Sequence, residues 1–205
     1  MLVLLLLTKA VPTILRFQSA HLGRLVTPRH YSNVAGMVAA GLPWAADNDA
    51  YSGFDEAAFR RMLNALAGQP GCRFVTAPDI VAEAAPTLER FRRWAGVVRG
   101  TGLPVALAAQ DGLERLQVPW GDLDALFVGG STAWKLSPMA AELVGEARAR
   151  GKWTHMGRVN SARRMQWAAL IGCDSVDGTS YARFTDRWLP AALQAAAAPA
   201  QGRLL

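Results

Sequence analysis

The sequence predicts an α/β protein with a compact (β/α)8 barrel of the TIM type, formed by a single domain over residues 1–205. Short apolar runs that end in small or polar residues alternate with amphipathic stretches. This pattern is typical of a parallel sheet covered on both sides. Seven such units are followed along the chain, and the opening run "LVLLLL" supplies an eighth strand. Because 205 residues is near the lower limit for this fold, we expect a trimmed barrel.

The predicted strands have the continuous apolar character of strands that are buried on both faces. The opening run is too short to span a membrane and has neither a basic stretch before it nor a small-residue cleavage pattern after it. We therefore predict a buried strand or helix start, with the remnant of a targeting segment as the alternative, no membrane segment and a cytoplasmic location. The other strands are "GRLVTP" (23–28), "LPWAAD" (42–47), "CRFVTAPD" (72–79), "LPVALAAQ" (103–110), "DALFVGG" (124–130), "KWTHMGRV" (152–159) and "CDSVDG" (173–178).

Amphipathic segments between these strands predict the helices. The last of the four clearest segments opens on Asn160 or Ser161 as an N-cap and closes on Gly172, which are typical start and stop signals. The tail 193–205 is predicted to form a final helix that frays. The four segments cover 54–68, 85–100, 137–151 and 161–172.

The excess of basic residues, and of Arg in particular, is compatible with nucleic-acid binding. The chain has 22 basic residues, 19 of them Arg, against 16 acidic residues, and its first carboxylate is Asp47. The planar guanidinium suits phosphate, although a GC-rich genome that prefers Arg codons would give the same composition. Cys72 and Cys173 are too few and too isolated for a disulfide scaffold or a zinc site. We expect both to be buried in a protein of a reducing compartment.

Polar residues collect where the predicted strands end, which is where parallel barrels place their active sites. A lone Asp at such a position is usually a helix cap or a turn residue, but three of them with a Gln favour a functional site. Two carboxylates suit displacement at a sugar carbon, one as nucleophile and one as proton shuttle. A third, with an amide and backbone N–H groups, suits the edge of a flat heterocycle. The residues are Asp47, Asp79, Gln110, Gly129, Gly130, His155, Met156, Gly157 and Asp177.

The order of these elements resembles the tRNA-guanine transglycosylase superfamily. A strand-end Asp with a Tyr four residues later is followed by Asp, Gln, Gly-Gly, Met-Gly and a Gly-x-Asp-x-x-Asp turn, over residues 42–183. The resemblance implies that Asp47 in "AADNDAY" is the general acid/base and that Tyr51 stacks on the base. It implies that Asp177 in "GCDSVDG" is the nucleophile, with Asp174 as a supporting acid.

The resemblance also implies a pocket for a purine-like base. Asp79 would contact its Watson–Crick side, Gln110 its carbonyl edge, and the backbone of Gly129 and Gly130 would lie against it. Met156 in "HMGRV" would close a sandwich with Tyr51, since thioether and aromatic groups both pack well on a π surface. Ordinary packing at the top of the barrel is the alternative for both side chains. Candidate phosphate contacts are Arg29, Arg158 and Arg183, with Arg163 and Arg164 as further possibilities.

Departures from the family pattern change the expected substrate. The tRNA enzymes carry a zinc-binding insertion of three Cys and one His after the nucleophile, whereas only 28 residues and no Cys follow Asp177. The chain therefore resembles most the short, zinc-free phage and bacterial enzymes that exchange guanine in DNA for a 7-deazaguanine such as preQ0. This implies DNA and a free base as partners and no metal or cofactor. A reduced tRNA enzyme and a non-catalytic nucleic-acid-binding relative remain the alternatives, and the oligomeric state is open.

Overall fold

The eight parallel strands close into a barrel. The computed structural model describes residues 4–197, so Met1 to Val3 and the end of the predicted tail, 198–205, lie outside the described residues. Neighbouring strands pair in chain order, and β1 closes the barrel against β8 with Leu5 opposite Val176. The strands are β1 (Leu4–Leu7), β2 (Leu22–Val26), β3 (Trp44–Ala46), β4 (Cys72–Thr76), β5 (Val105–Ala109), β6 (Ala125–Val128), β7 (Trp153–Met156) and β8 (Ser175–Asp177). The fold class predicted from the sequence is confirmed.

Side chains alternate between the barrel interior and the layer under the helices. Leu4 and Leu6 pack inside the barrel with Phe74, whereas Leu5 and Leu7 pack outside it, against the helices. Both sets are buried, which explains why β1 is a continuous apolar run. The same alternation decides which residue at each strand end faces the bowl at the carboxyl end of the barrel.

The helices of residues 4–197 range from four to 16 residues in length, and the barrel that they cover is closed, with no strand missing among the eight. Three of the longer ones begin at side-chain N-caps, Asp55, Ser137 and Ser161, and Gly172 ends α7 with a left-handed φ of 94°. Strands β5 and β6 are joined through a 3₁₀ turn, Leu113–Arg115. Within residues 4–197 the helices are α1 (Val11–Leu15), α2 (Val34–Ala39), α3 (Glu56–Leu66), α4 (Ala84–Arg99), α5 (Thr132–Lys135), α6 (Pro138–Ala149), α7 (Ala162–Ile171), α8 (Thr179–Arg183) and α9 (Thr185–Ala197).

The two cysteines are both free thiols. Cys173 is buried, as predicted, and Cys72 is only partly buried at the start of β4. Burial raises the pKa of both thiols. Within residues 4–197 no helix is long and apolar enough to cross a membrane.

Candidate active site

A cavity of about 480 Å³ opens at the carboxyl ends of the strands. Its size is within the range of small-molecule sites, roughly 300–1,000 Å³. Most of the residues predicted for the site line it, although they come from strands far apart in the chain. Those that line it are Arg29, Asp47, Tyr51, Asp79, Gln110, Gly129, Arg158 and Asp177.

Asp47 enters the pocket because of the alternation in β3. Trp44 and Ala46 pack under the helices and Ala45 packs inside the barrel, so the next residue, Asp47, points inward. Its Oδ1 atom accepts a hydrogen bond of 2.8 Å from the backbone N–H of Asn48. Burial, and then the charges of Asp177 and Asp79, raise the pKa of Asp47 from 3.8 to about 7. A carboxyl group in this environment can both give and take a proton near neutral pH.

Asp177 lies at the end of β8 in a different environment. Its Oδ1 atom accepts a hydrogen bond of 3.2 Å from the backbone N–H of Arg158, and its Oδ2 atom lies 3.0 Å from Nε2 of His155. The side chain is 14% exposed and lines the pocket. A Cβ atom on Gly157 would lie 2.7 Å from the Phe127 ring, so a larger residue at 157 would disturb the packing beside this carboxylate.

Asp79 is held on both oxygens by neighbouring amides. Asn48 Nδ2 donates to Oδ1 at 2.8 Å, and Gln110 Nε2 donates to Oδ2 at 2.5 Å. Asn48 is itself fixed, since Nδ2 also donates to the backbone of Ala77 and Oδ1 accepts from Ala50. Burial raises the pKa of Asp79, and the Asn48 hydrogen bond opposes that rise.

Gln110 connects Asp79 to the glycine pair. Its Oε1 atom accepts hydrogen bonds of 2.8 Å from the backbone N–H groups of Ala82 and Gly130. Gly129 donates its own N–H to Ala109, so both backbone donors of the pair are already used. A Cβ atom on Gly129 would lie 2.6 Å from Gln110 Nε2, which explains the need for glycine there. Gly129 lines the pocket as expected, and the Gly130 N–H holds Gln110 instead of facing a ligand.

Tyr51 and Arg158 meet across the mouth of the pocket. Tyr51, on the 3₁₀ turn Ala50–Ser52, is 73% exposed, and the Arg158 guanidinium carbon lies 5.0 Å from its ring centroid. An Nη2 atom of Arg158 also donates to the backbone carbonyl of Gly130. At this distance the guanidinium itself covers one face of the Tyr51 ring.

Met156 does not reach the pocket. Its neighbour His155 points into the barrel, where its ring packs against Phe74 and Phe127, so Met156 points the other way. Met156 is fully buried in the layer under the helices. Tyr51 and Met156 therefore do not face each other across the pocket, and the predicted sandwich is not formed. Arg158 lies against the Tyr51 ring instead.

The other predicted cations differ in their surroundings. Arg29 lies 3.3 Å from the Asp49 carboxylate and donates to the backbone carbonyl of Ser52, so it braces the turn that carries Tyr51. Asp49 has a left-handed φ of 62° and lines the pocket. Arg183 is exposed at the end of α8, outside the pocket lining.

Asp174 lies at the opposite end of β8 from the pocket. Its Oδ2 atom accepts hydrogen bonds of 2.8 Å from both the backbone N–H and the hydroxyl of Thr154. These bonds tie the amino ends of β7 and β8 together. The predicted supporting role beside Asp177 is wrong, because a separation of three residues along a strand places the two side chains on opposite faces and about 10 Å apart along it.

Sequence reasoning missed three residues around the site. Asn48 and His155 stood in the quoted motifs but received no role, although counting the alternation along β7 would have placed His155 inside the barrel. Lys135 gave no signal, since the fold alone brings α5 beneath the β7–α7 loop. Its buried Nζ atom donates to the backbone carbonyl of Gly157 at 2.7 Å. Burial, and then the charge of Arg158, lower the pKa of Lys135 to about 7.

The chain matches no protein-family model and no curated protein. Two carboxylates, Asp47 and Asp177, line one cavity from β3 and β8, and each has a different set of hydrogen bonds. Beside them lie a buried amide–carboxylate network and an aromatic ring at the mouth. This arrangement suits acid/base-assisted displacement on a ligand that carries a flat polar ring.

Proposed function

We propose that the protein is a DNA-guanine transglycosylase that exchanges guanine in DNA for a 7-deazaguanine base such as preQ0. The observation that carries the proposal is the pair of unlike carboxylates, Asp47 and Asp177, in one pocket at the carboxyl ends of β3 and β8. The resemblance of the motif order to the transglycosylase superfamily supplies the substrate class.

In the first half of the reaction, an ionised oxygen of Asp177 attacks C1′ of the target deoxyguanosine. A bond forms between this oxygen and C1′, and the C1′–N9 bond breaks with its electron pair passing to the guanine. Asp47, whose pKa of about 7 leaves much of it protonated at neutral pH, gives its proton to the leaving base. The result is a glycosyl ester on Asp177 and free guanine.

In the second half, the incoming 7-deazaguanine replaces guanine in the pocket. Asp47, now ionised, takes the proton from N9 of the base while N9 attacks C1′. The ester bond to Asp177 breaks and its electron pair returns to the carboxylate. One glycosidic bond replaces another, so the proposed exchange needs no energy source and no cofactor.

The base is proposed to lie against the amide–carboxylate network. Asp79 accepts one amide hydrogen bond on each oxygen, and Gln110 Nε2 donates to Asp79 alone among residues 4–197, so both retain capacity toward a polar ring edge. The buried hydroxyl of Thr76, which lines the pocket, has no hydrogen-bond partner among the described residues. Tyr51 is the stacking surface, and a base on its inner face would take the place of the Arg158 guanidinium.

DNA is the proposed polymer. The target nucleotide would leave the stack, since C1′ and the base are shielded inside a duplex. Arg29 and Arg158 lie at the mouth of the pocket and Arg183 on the surface at the end of α8, which suits contacts to phosphates on either side of an extruded nucleotide. The net charge of +6 favours a polyanionic partner.

Base exchange on DNA and tRNA side by side tests the proposal. The protein is incubated with isotope-labelled guanine or preQ0 and either duplex DNA or tRNA, and the recovered nucleosides are analysed by mass. We expect label in deoxynucleosides that depends on Asp177. Label in tRNA alone would identify a reduced tRNA enzyme instead. Binding of DNA without incorporation in any sequence context would indicate a non-catalytic nucleic-acid-binding protein.

A further inference from the structure

His155 lies inside the barrel directly beneath Asp177. The side chain is fully buried, and its ring centroid is 5.0 Å from that of Phe74 and 4.7 Å from that of Phe127. Most of the surrounding interior is apolar, with Leu4, Leu6, Leu25, Phe74, Ala45, Ala106 and Ala125 forming one cluster. An imidazole in such surroundings destabilises the fold unless both of its nitrogens are bonded.

Both nitrogens of His155 have partners, in a continuous line across β7 and β8. Trp153 Nε1 donates to Ser175 Oγ at 2.8 Å, Ser175 Oγ lies 2.8 Å from His155 Nδ1, and His155 Nε2 lies 3.0 Å from Asp177 Oδ2. An indole nitrogen only donates, so Ser175 accepts from Trp153, and its hydroxyl proton is free to point at Nδ1 of His155. The proposed nucleophile Asp177 is a carboxylate, which only accepts, so Nε2 of His155 carries a proton and donates it to Oδ2.

We propose that His155 is a positioning residue for Asp177, a role that rests on the proposed function of Asp177 as the nucleophile. The Nε2–H group holds Oδ2 toward the barrel interior, while the Arg158 backbone N–H holds Oδ1 at the β7–α7 loop. Two donors from different elements fix the plane of the carboxylate, and the aromatic walls fix the imidazole. The line of donors therefore sets the direction from which Asp177 approaches C1′, and Oδ1 is the attacking oxygen.

A pair of amide variants separates the Nε2 donor from the bulk of the side chain. In His155→Gln the side-chain nitrogen occupies the place of Nε2 and can donate to Asp177, whereas in His155→Asn it occupies the place of Nδ1 and cannot. We expect H155N to lower kcat about 10- to 100-fold, as loss of a supporting partner does elsewhere, with the KM for the free base little changed. We expect H155Q to recover most of that loss. Wild-type kcat in H155N, or equal loss in both variants, would overturn the proposal.

The imidazole tautomer gives a readout that does not need activity. The chain has three histidines, so long-range ¹H–¹⁵N correlation spectra of the labelled full-length protein resolve few signals. We expect a proton on Nε2 of His155, and this signal to move in Asp177→Asn. An Nε2 atom without a proton, or an Nε2 signal unmoved by D177N, would overturn the positioning role. Active wild-type protein with the wrong tautomer refutes this inference alone, whereas the expected tautomer without any base exchange refutes only the proposed function.

Discussion

The carboxylates on the two sides of the pocket have different environments. On the β3 side, Asp47 accepts one backbone hydrogen bond and has three other carboxylates nearby, so burial and like charge raise its pKa to about 7. On the β8 side, Asp177 accepts two hydrogen bonds, from His155 and from the Arg158 backbone. Pairs of carboxyl groups in unlike environments divide into a proton donor and a charged partner. The difference supports the proposed roles, with Asp47 as the acid/base and Asp177 as the nucleophile.

Removal of the β8 carboxylate should have the largest effect. Asp177→Asn keeps the shape of the side chain but eliminates the proposed nucleophile, so base exchange should fall by at least about 1,000-fold. Asp122→Asn is the matched control, since Asp122 is exposed before the amino end of β6 and is not part of the pocket lining, and it should exchange at the wild-type rate. Exchange in D177N near that of D122N would remove Asp177 from the mechanism.

Loss of the β3 carboxyl group should slow exchange by about 100-fold or more and change the pH profile. Release of guanine requires protonated Asp47, so in the wild-type protein the single-turnover rate should fall as pH rises above about 7. Asp47→Asn cannot donate, and its residual rate should lack this limb. Rapid-quench measurement of guanine release between pH 5 and 9 checks both points. A limb near pH 7 that survives in D47N would belong to another group.

The same substitution should stabilise the fold, in contrast to its effect on activity. Folded Asp47 has a pKa of about 7 against 3.8 for an ordinary aspartate, so the folded state holds the proton more tightly. Its destabilising effect is absent below pH 4, grows as pH rises, and is complete above pH 7. D47N should therefore unfold like wild type at pH 4 and be more stable by about 1–3 kcal/mol at pH 8. Urea unfolding at the two pH values measures this, and equal stability at pH 8 would mean that Asp47 is not perturbed.

Substitution of Arg158, which meets Tyr51 across the mouth of the pocket, has the smallest expected effect. Arg158→Met removes the guanidinium from the Tyr51 ring, a contact of about 0.5–1 kcal/mol, so the KM for the free base should fall roughly 2- to 5-fold. The KM for DNA should rise, since a phosphate contact is lost. Arg183→Met, on the exposed end of α8, should raise only the KM for DNA. A higher KM for the base in R158M would show that Arg158 helps to hold the base.

The strands and most strand-end residues were predictable because strands that are buried on both faces appear in the sequence as continuous apolar runs. Continuous apolar runs located the strands, and Asp47, Gln110 and Asp177 followed as the next inward residues. The prediction that Met156 lies against the base opposite Tyr51 was wrong. The order of the motif residues does not show on which face of β7 each residue lies. Arg158, whose guanidinium lies against the Tyr51 ring, has a left-handed φ of 59°. No local sequence pattern encodes that conformation.

Detection of a covalent adduct on Asp177 is the most direct test of whether this residue is the nucleophile. Wild-type protein is mixed with a guanine-containing oligonucleotide, quenched in denaturant and analysed by intact mass and peptide mapping. We expect an adduct with the mass of the protein plus the oligonucleotide minus guanine, attached to Asp177 and released when preQ0 is added before the quench. Base exchange that proceeds with no adduct, or with an adduct on a residue other than Asp177, would contradict it.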